Sequence, residues 1–328
     1  MFELTANNAG EYLAVRGYKE RPVSITELGG GVSNTVLLIE SSHGRFVLKQ
    51  ALEKLRVEQD WFSDRSRAIR EAEALRMLAD RLPEGSIPAI LFEDPNNCLF
   101  AMSAAPVAAR TWKSLLLDGV IREQTAEQIA RLQVALIRAS WRSSEWAARL
   151  GDLAVFDQLR LDPYYRATAR RHPDLAGFFE GLIADARERG AALTHGDWSP
   201  KNFLVDGDAV MAIDFEVIHF GAPTFDAAFL LNHLLLKGFH RPEWAASYVR
   251  AARNAWQTLA AGLPQGADWF EAGTIAHLGG LMLARIDGKS PVEYLRDEPT
   301  REHVRQFARE LILRRPASID EVLTRVAP

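Results

Sequence analysis

The chain holds one cysteine, Cys98, so no intrachain disulfide can form. A reducing cytoplasm is therefore the expected setting. It has no large charge excess of either sign. The formal net charge is −4 over 328 residues, without the basic footprint of a nucleic-acid binder. It has no apolar run long enough to cross a bilayer. The longest, Ala227–Leu236, is interrupted by Asn232 and His233 and reads as a buried helix. The first eighteen residues lack a basic start followed by an apolar core, so no signal peptide is expected. Repeats and low-complexity segments are missing too. What remains, 48% hydrophobic and 25% charged residues, suits a globular monomer or homodimer with a core for one large domain or two lobes.

Turn and period signals divide the chain. Asn8 is positioned to cap a short helix through Tyr18. Stretches 23–28, 36–40 and 46–49 have strand character, with Gly29-Gly30-Gly31 and His43-Gly44 between them. Ala68, Ala72, Leu75, Leu78 and Leu82 recur at helical spacing. Two further strands are expected at 89–92 and 98–102. Residues 1–105 thus read as a small β-sheet lobe with one main helix. From 106 to 328 the pattern is helical, at 125–139, 175–189, 224–236, 244–259 and 271–285. The one strand-like interlude there is the hairpin near 203–213. A hinge is expected near 102–106, which assigns Met102 to a nucleotide site between the lobes.

The stretch His195–Glu216 carries the chemistry. Asp197, Asn202 and Asp214 follow the order of a kinase catalytic loop and a metal-binding strand end. Phosphoryl transfer from ATP needs a carboxylate to orient the attacking hydroxyl and oxygen ligands for Mg²⁺. Asp197 is read as that carboxylate, and Asn202 and Asp214 as the ligands. Glu216 is either a second acidic ligand or half of a salt bridge. His195 is read as holding the loop rather than as a base. Upstream, Gly29, Gly30, Gly31, Ser33 and Asn34 lie between strands, which excludes Rossmann and Walker loops. They form either a phosphate cover or a plain hairpin. Lys49 ends a strand where an ammonium reaches α- and β-phosphates. Its carboxylate partner is Glu71 in preference to Glu73, because residues two apart on a helix point about 200° apart.

His195-Gly196-Asp197 with Asn202, and Ile213-Asp214-Phe215-Glu216, resemble the signatures of the aminoglycoside phosphotransferase and choline kinase superfamily. Gly29 to Asn34 and Phe46-Val47-Leu48-Lys49 are similar to the N-lobe of 5-methylthioribose kinases. The chain departs from those kinases at Asn202 and in its shorter length. The resemblance spans about residues 20–240. It implies an α+β, bilobal, protein-kinase-like fold and an ATP- and Mg²⁺-dependent phosphotransferase. Gly221 to Asp226 also resembles the family, where the Asp buttresses the catalytic loop, and that role falls to Asp226.

The favoured acceptor is a hydroxyl of a small metabolite, a sugar or sugar-like alcohol. An aminoglycoside or choline-type kinase and a nucleotide-binding pseudokinase scaffold are the alternatives; no nucleic acid or membrane partner is expected. Arg285, Asp287 and Lys289 sit at a helix end, either contacting an anionic or polyhydroxy acceptor or forming a solvated turn. Trp198, beside Asp197, is a candidate aromatic wall. The acidic residues near the C-terminus are balanced by basic ones, which argues against a polycationic acceptor.

Overall fold

The computed structural model describes residues 2–18, 22–29, 32–56 and 61–326. Gly30 and Gly31 lie outside the described residues. Five strands form an antiparallel sheet: β1 (Ser24–Glu27), β2 (Asn34–Ser41), β3 (Gly44–Ala51), β4 (Ile90–Asp94) and β5 (Leu99–Ser103), in the order β1-β2-β3-β5-β4. β2 and β3 close around the His43-Gly44 turn, from Ser41 opposite Gly44 to Asn34 opposite Ala51.

The two-residue period of β3 sorts its side chains. Phe46 and Leu48 face a small core with Leu13, Leu37 and Ile39. Val47 and Ala51 face the other way, onto Ala68, Ala72 and Leu75 of the Arg67–Leu78 helix. Each fully buried Leu or Phe in these layers contributes roughly 1.5–3 kcal/mol, so slipping β3 by one residue would exchange both faces at once. Lys49 shares the face of Val47 and Ala51 and is thereby carried toward the helical part of the molecule.

That part is built on the Thr224–His240 helix, buried from Thr224 through Phe239. It packs against the Ala245–Gly262 and Phe270–Asp287 helices. No helix among the described residues is long and apolar enough to cross a membrane. β8 (Phe203–Asp206) and β9 (Ala209–Ala212) form the expected hairpin, which β6 (Arg110–Thr111) extends. β7 (Ala192–Thr194) pairs antiparallel with β10 (His219–Gly221). These pieces of two or three residues are too short to show a period, which is why the hairpin looked alone in the sequence. The Glu298–Arg314 and Ile319–Thr324 helices were likewise not anticipated. Asn8 precedes the Ala9–Val15 helix without capping it; its side chain accepts from Thr5 N–H at 2.8 Å and donates to Glu3 O at 2.9 Å.

Candidate active site

Lys49 reaches two carboxylates from different parts of the chain. Its Nζ lies 2.9 and 2.7 Å from the two oxygens of Glu71 and 2.5 Å from Asp214 Oδ1. Glu71 is fully buried and also accepts from Phe215 N–H at 2.9 Å, which ties the helix to the strand end. Glu73 points out and pairs with Arg149 at 2.6 Å. Burial disfavours the Lys49 charge, but Asp214, Glu71 and Glu216 outweigh it and hold the ammonium above its ordinary value. Burial pushes the Glu71 carboxyl up, against the pull of Lys49. Asp214 stays below the usual carboxylate range because Lys49 and Lys201 overcome its desolvation.

β7 leads into the His195–Asp197 loop. Gly196 sits at φ +77°, and a Cβ there would meet Val217 Cγ1 at 2.7 Å and Val217 O at 3.0 Å. Only glycine suits both the dihedral and the space. Asp226 fastens the turn from below, accepting from His195 N–H at 2.5 Å and Gly196 N–H at 2.9 Å. Burial raises its carboxyl to about 7 against these two bonds, which favour the anion. Both nitrogens of the His195 ring are engaged: Nε2 with Ile213 O at 3.1 Å, while Nδ1 accepts from Asp197 N–H at 3.2 Å. Burial lowers its pKa to about 4, so the ring is neutral near pH 7, with one nitrogen spent on its own loop and the other tying that loop to the segment before Asp214.

Asp197 is buried yet charged. Its Oδ2 is 2.9 Å from Arg160 Nη2 and 2.8 Å from Lys201 Nζ. Desolvation works to raise its pKa, but Lys201 and Arg160 win and hold it far below the carboxylate range. Asn202 donates its amide N–H to Asp197 O at 2.9 Å. That leaves the amide oxygen as the end that could face a metal ion. Asp214 adopts φ +68°, a left-handed conformation that costs a non-glycine residue of order 1 kcal/mol or more.

A metal ion fits part of the expected ligand set. Among the described residues no group of three His, Cys, Asp or Glu is arranged to hold one. Mg²⁺ takes few protein oxygens when phosphates and water supply the rest, and Asn202 and Asp214 are of that hard-oxygen type. Glu216 is differently engaged. Its Oε1 accepts from Ser33 Oγ at 2.7 Å, and its Oε2 accepts from Asn34 Nδ2 and Arg67 Nε, each at 2.9 Å. The salt-bridge alternative is thus the one the geometry matches. Ser33 and Asn34 turn their side chains to this carboxylate. Gly29 is exposed, with open space where a Cβ would be. Met102 packs in the core opposite Val47 and is not among the described residues lining the cleft cavity.

Arg67, Arg160 and Lys201 were missed in the sequence. Arg67 lies one helical turn before Glu71, a spacing that would have put it on the same face. Its guanidinium also donates to Ser33 O at 2.5 Å and Leu52 O at 2.7 Å, anchoring the chain beyond the glycine loop. Arg160 comes from a wide, π-type helical stretch, Asp157–Arg166, with Pro163 inside it. It donates to Gly196 O at 2.6 Å as well as to Asp197. No local pattern marks it.

Asp197 opens on a cavity of about 610 Å³. Trp198 does not line it. That ring is buried, edge-on to Phe203 at 4.7 Å between centroids. Trp61 takes a wall instead, with Lys289 Nζ 5.0 Å from its ring centre. Arg285 is buried at the cavity wall rather than in a solvated turn. Asp287 faces away from it, bonded to His172 at 2.9 Å and Arg305 at 2.7 Å.

A model of the APH phosphotransferase enzyme family matches residues 24–262. The chain belongs to this family. Among curated relatives, the chain is 28% identical to methylthioribose kinase of Escherichia coli O45:K1 (strain S88 / ExPEC) over 256 residues, 70% of this chain and 61% of that one. It is 25% identical to methylthioribose kinase 2 of Oryza sativa subsp. japonica, over 66% of this chain and 57% of that one. The chain thus spans about three fifths of the curated relatives it matches. Its fold is kinase-like. An amicoumacin kinase in complex with AMP-PNP, Ca²⁺ and Ami superimposes at a TM-score of 0.56 with 14% identity, over 94% of this chain and 95% of that one. A choline/ethanolamine kinase family protein from Mesorhizobium loti gives 0.53 with 16% identity, over 98% of each.

Proposed function

We propose that this phosphotransferase moves the γ-phosphoryl group of ATP, with Mg²⁺, onto a hydroxyl of a small metabolite, with a sugar or sugar-like alcohol as the favoured class. The observation that carries the reading is the Lys49–Asp214 contact at 2.5 Å beside a cavity that Asp197 lines. Nucleotide handling and acceptor orientation are thereby adjacent. The methylthioribose kinase relatives support the acceptor class.

Lys49, steadied by Glu71, holds the α- and β-phosphates. Asn202 and Asp214 would hold Mg²⁺ through their side-chain oxygens, and the ion would supply positive charge to offset that of the phosphates. Asp197 accepts a hydrogen bond from the acceptor hydroxyl and aligns its oxygen on the γ-phosphorus. The new P–O bond forms as the bond to the ADP oxygen breaks. Because Arg160 and Lys201 keep Asp197 a weak base, the hydroxyl proton leaves late, through Asp197 to water. Glu216 and Arg67 brace the segment after the glycine loop rather than touching substrate.

The test is a metabolite panel with Mg-ATP, read by the mass gain of a phosphoryl group. Wild type should phosphorylate a hydroxyl compound and Asp197→Ala should not, with Mg-ADP binding retained. Turnover by Asp197→Ala within a few-fold of wild type would end the assignment.

A further inference from the structure

We propose that the acceptor carries an anionic group of its own, a phosphate or a carboxylate, besides the hydroxyl that is phosphorylated, and that Lys237 and Arg285 seat that group. The inference rests on the kinase reading above and specifies its acceptor.

The described lining of the cavity holds seven Lys or Arg side chains against three Asp or Glu. The acids are already taken. Asp197 is shared by Arg160 and Lys201, Glu216 is bound to Arg67, and Glu293 pairs with Lys113. Lys237 and Arg285 come from the two helices that form the cavity floor, Thr224–His240 and Phe270–Asp287. Lys237 is 1% exposed and Arg285 9%, yet neither has a carboxylate within ion-pair distance among the described residues. Lys237 Nζ donates to His233 O at 3.2 Å, one turn back, and sits 5.1 Å from the Tyr294 ring centre. Arg285 spends one nitrogen on Tyr164 Oη at 3.1 Å and on Ser290, while its Nε has no partner. The Tyr294 hydroxyl is also buried without a partner.

Two buried basic side chains without ion-pair partners on one wall are costly to charge unless an anion arrives. A neutral sugar would leave that cost in place, and a polycation would raise it. A bound oxyanion would accept from Lys237, the free Arg285 Nε and Tyr294 Oη together. Tyr164 links this wall to the chemistry. Its ring centre is 5.6 Å from the Arg285 guanidinium and 5.9 Å from that of Arg160, which holds Asp197. One small molecule therefore has its anion at the floor and its hydroxyl toward Asp197.

The experiment compares matched pairs: glycerol with glycerol 3-phosphate, ribose with ribose 5-phosphate, and glucose with gluconate. Wild type, Lys237→Met and Arg285→Met are assayed for phosphoryl transfer. Inorganic phosphate and acetate are titrated calorimetrically into each protein saturated with Mg-ADP. Wild type should favour the charged member of a pair, and Lys237→Met should lose about 30-fold or more of that preference. Phosphate or acetate should bind the wild-type Mg-ADP complex saturably and fail to bind Lys237→Met. Lys237→Met removes the buried charge and a single hydrogen bond, to His233 O, so it keeps the test open if Arg285→Met, which loses the Ser290 and Tyr164 bonds, does not fold. A preference for the neutral member, or anion binding unchanged in both variants, would overturn the assignment. So would the absence of saturable anion binding in wild type. Mg-ADP affinity is read in the same samples. Its absence in wild type would take the kinase reading and this inference together; its presence without an anion effect would sink the anion seat alone.

Discussion

Lys49 Nζ and Asp214 Oδ1 stand 2.5 Å apart although 165 residues separate them in the chain. One comes from the inner face of a β-strand and the other from a strained turn after a hairpin. The ammonium also binds Glu71, so three elements meet at one nitrogen.

Removing that nitrogen should leave the buried Glu71 carboxylate without its cation, beside the half-buried Asp214. Lys49→Met is expected to lose stability by about 3–5 kcal/mol along with nucleotide affinity. Lys49→Met/Glu71→Gln should regain stability and stay inactive. Chemical denaturation and Mg-ADP titration of both proteins check this, and equal stability of the single and double variants would refute the coupling.

Asp214→Ala should abolish Mg²⁺-dependent nucleotide binding, whereas Glu216→Gln should leave the dependence on Mg²⁺ concentration near wild type and lower Tm. Glu216 meets Arg67, Ser33 and Asn34 instead of an open ligand position. Metal titration of nucleotide binding separates the two. A large rise in the Mg²⁺ requirement of Glu216→Gln would restore it as a ligand.

Gly196→Ala should destabilise the loop by roughly 1–3 kcal/mol through its φ of +77° and its contact with Val217. Adding Val217→Ala should relieve the contact but not the dihedral, so rescue should be partial in thermal melts. Full rescue would show that space alone selects glycine.

Lys237 makes the fold pH-sensitive. Burial first, then Lys113, with Arg285 adding to them and Glu293 opposing, lowers its pKa from 10.5 to about 7. The folded state then binds fewer protons than the unfolded one between those values. The destabilisation is full below about pH 7 and fades as pH rises toward the ordinary lysine value. Lys237→Met should therefore gain more Tm below about pH 7 than above about pH 9. If the seat is right, oxyanion binding to wild type should also weaken as pH rises through about 7, since the ammonium is lost. A binding constant flat across that range would contradict the role of Lys237.

The local code was legible where chemistry and spacing coincide. Lys49 could be picked out at the end of a strand, and Glu71 preferred over Glu73 from helical geometry. Asp197, Asn202 and Asp214 stood out because they share one short stretch. Strands β6, β7 and β10 were not legible, because two or three residues carry no period.

By itself, the order of residues determined the sheet-then-helices layout and singled out Lys49, Glu71, Asp197, Asn202 and Asp214 as the polar groups proposed to handle phosphate, since both follow from patterns a few residues long. Only the tertiary structure decided that Arg160 restrains Asp197, that Glu216 faces Arg67, that Trp198 is core, and that Lys237 and Arg285 share a wall without an ion-pair partner among the described residues. Those are outcomes of long-range packing, in which a side chain's charge partner is whichever group the fold brings within a few ångströms, and no spacing along the chain encodes that distance.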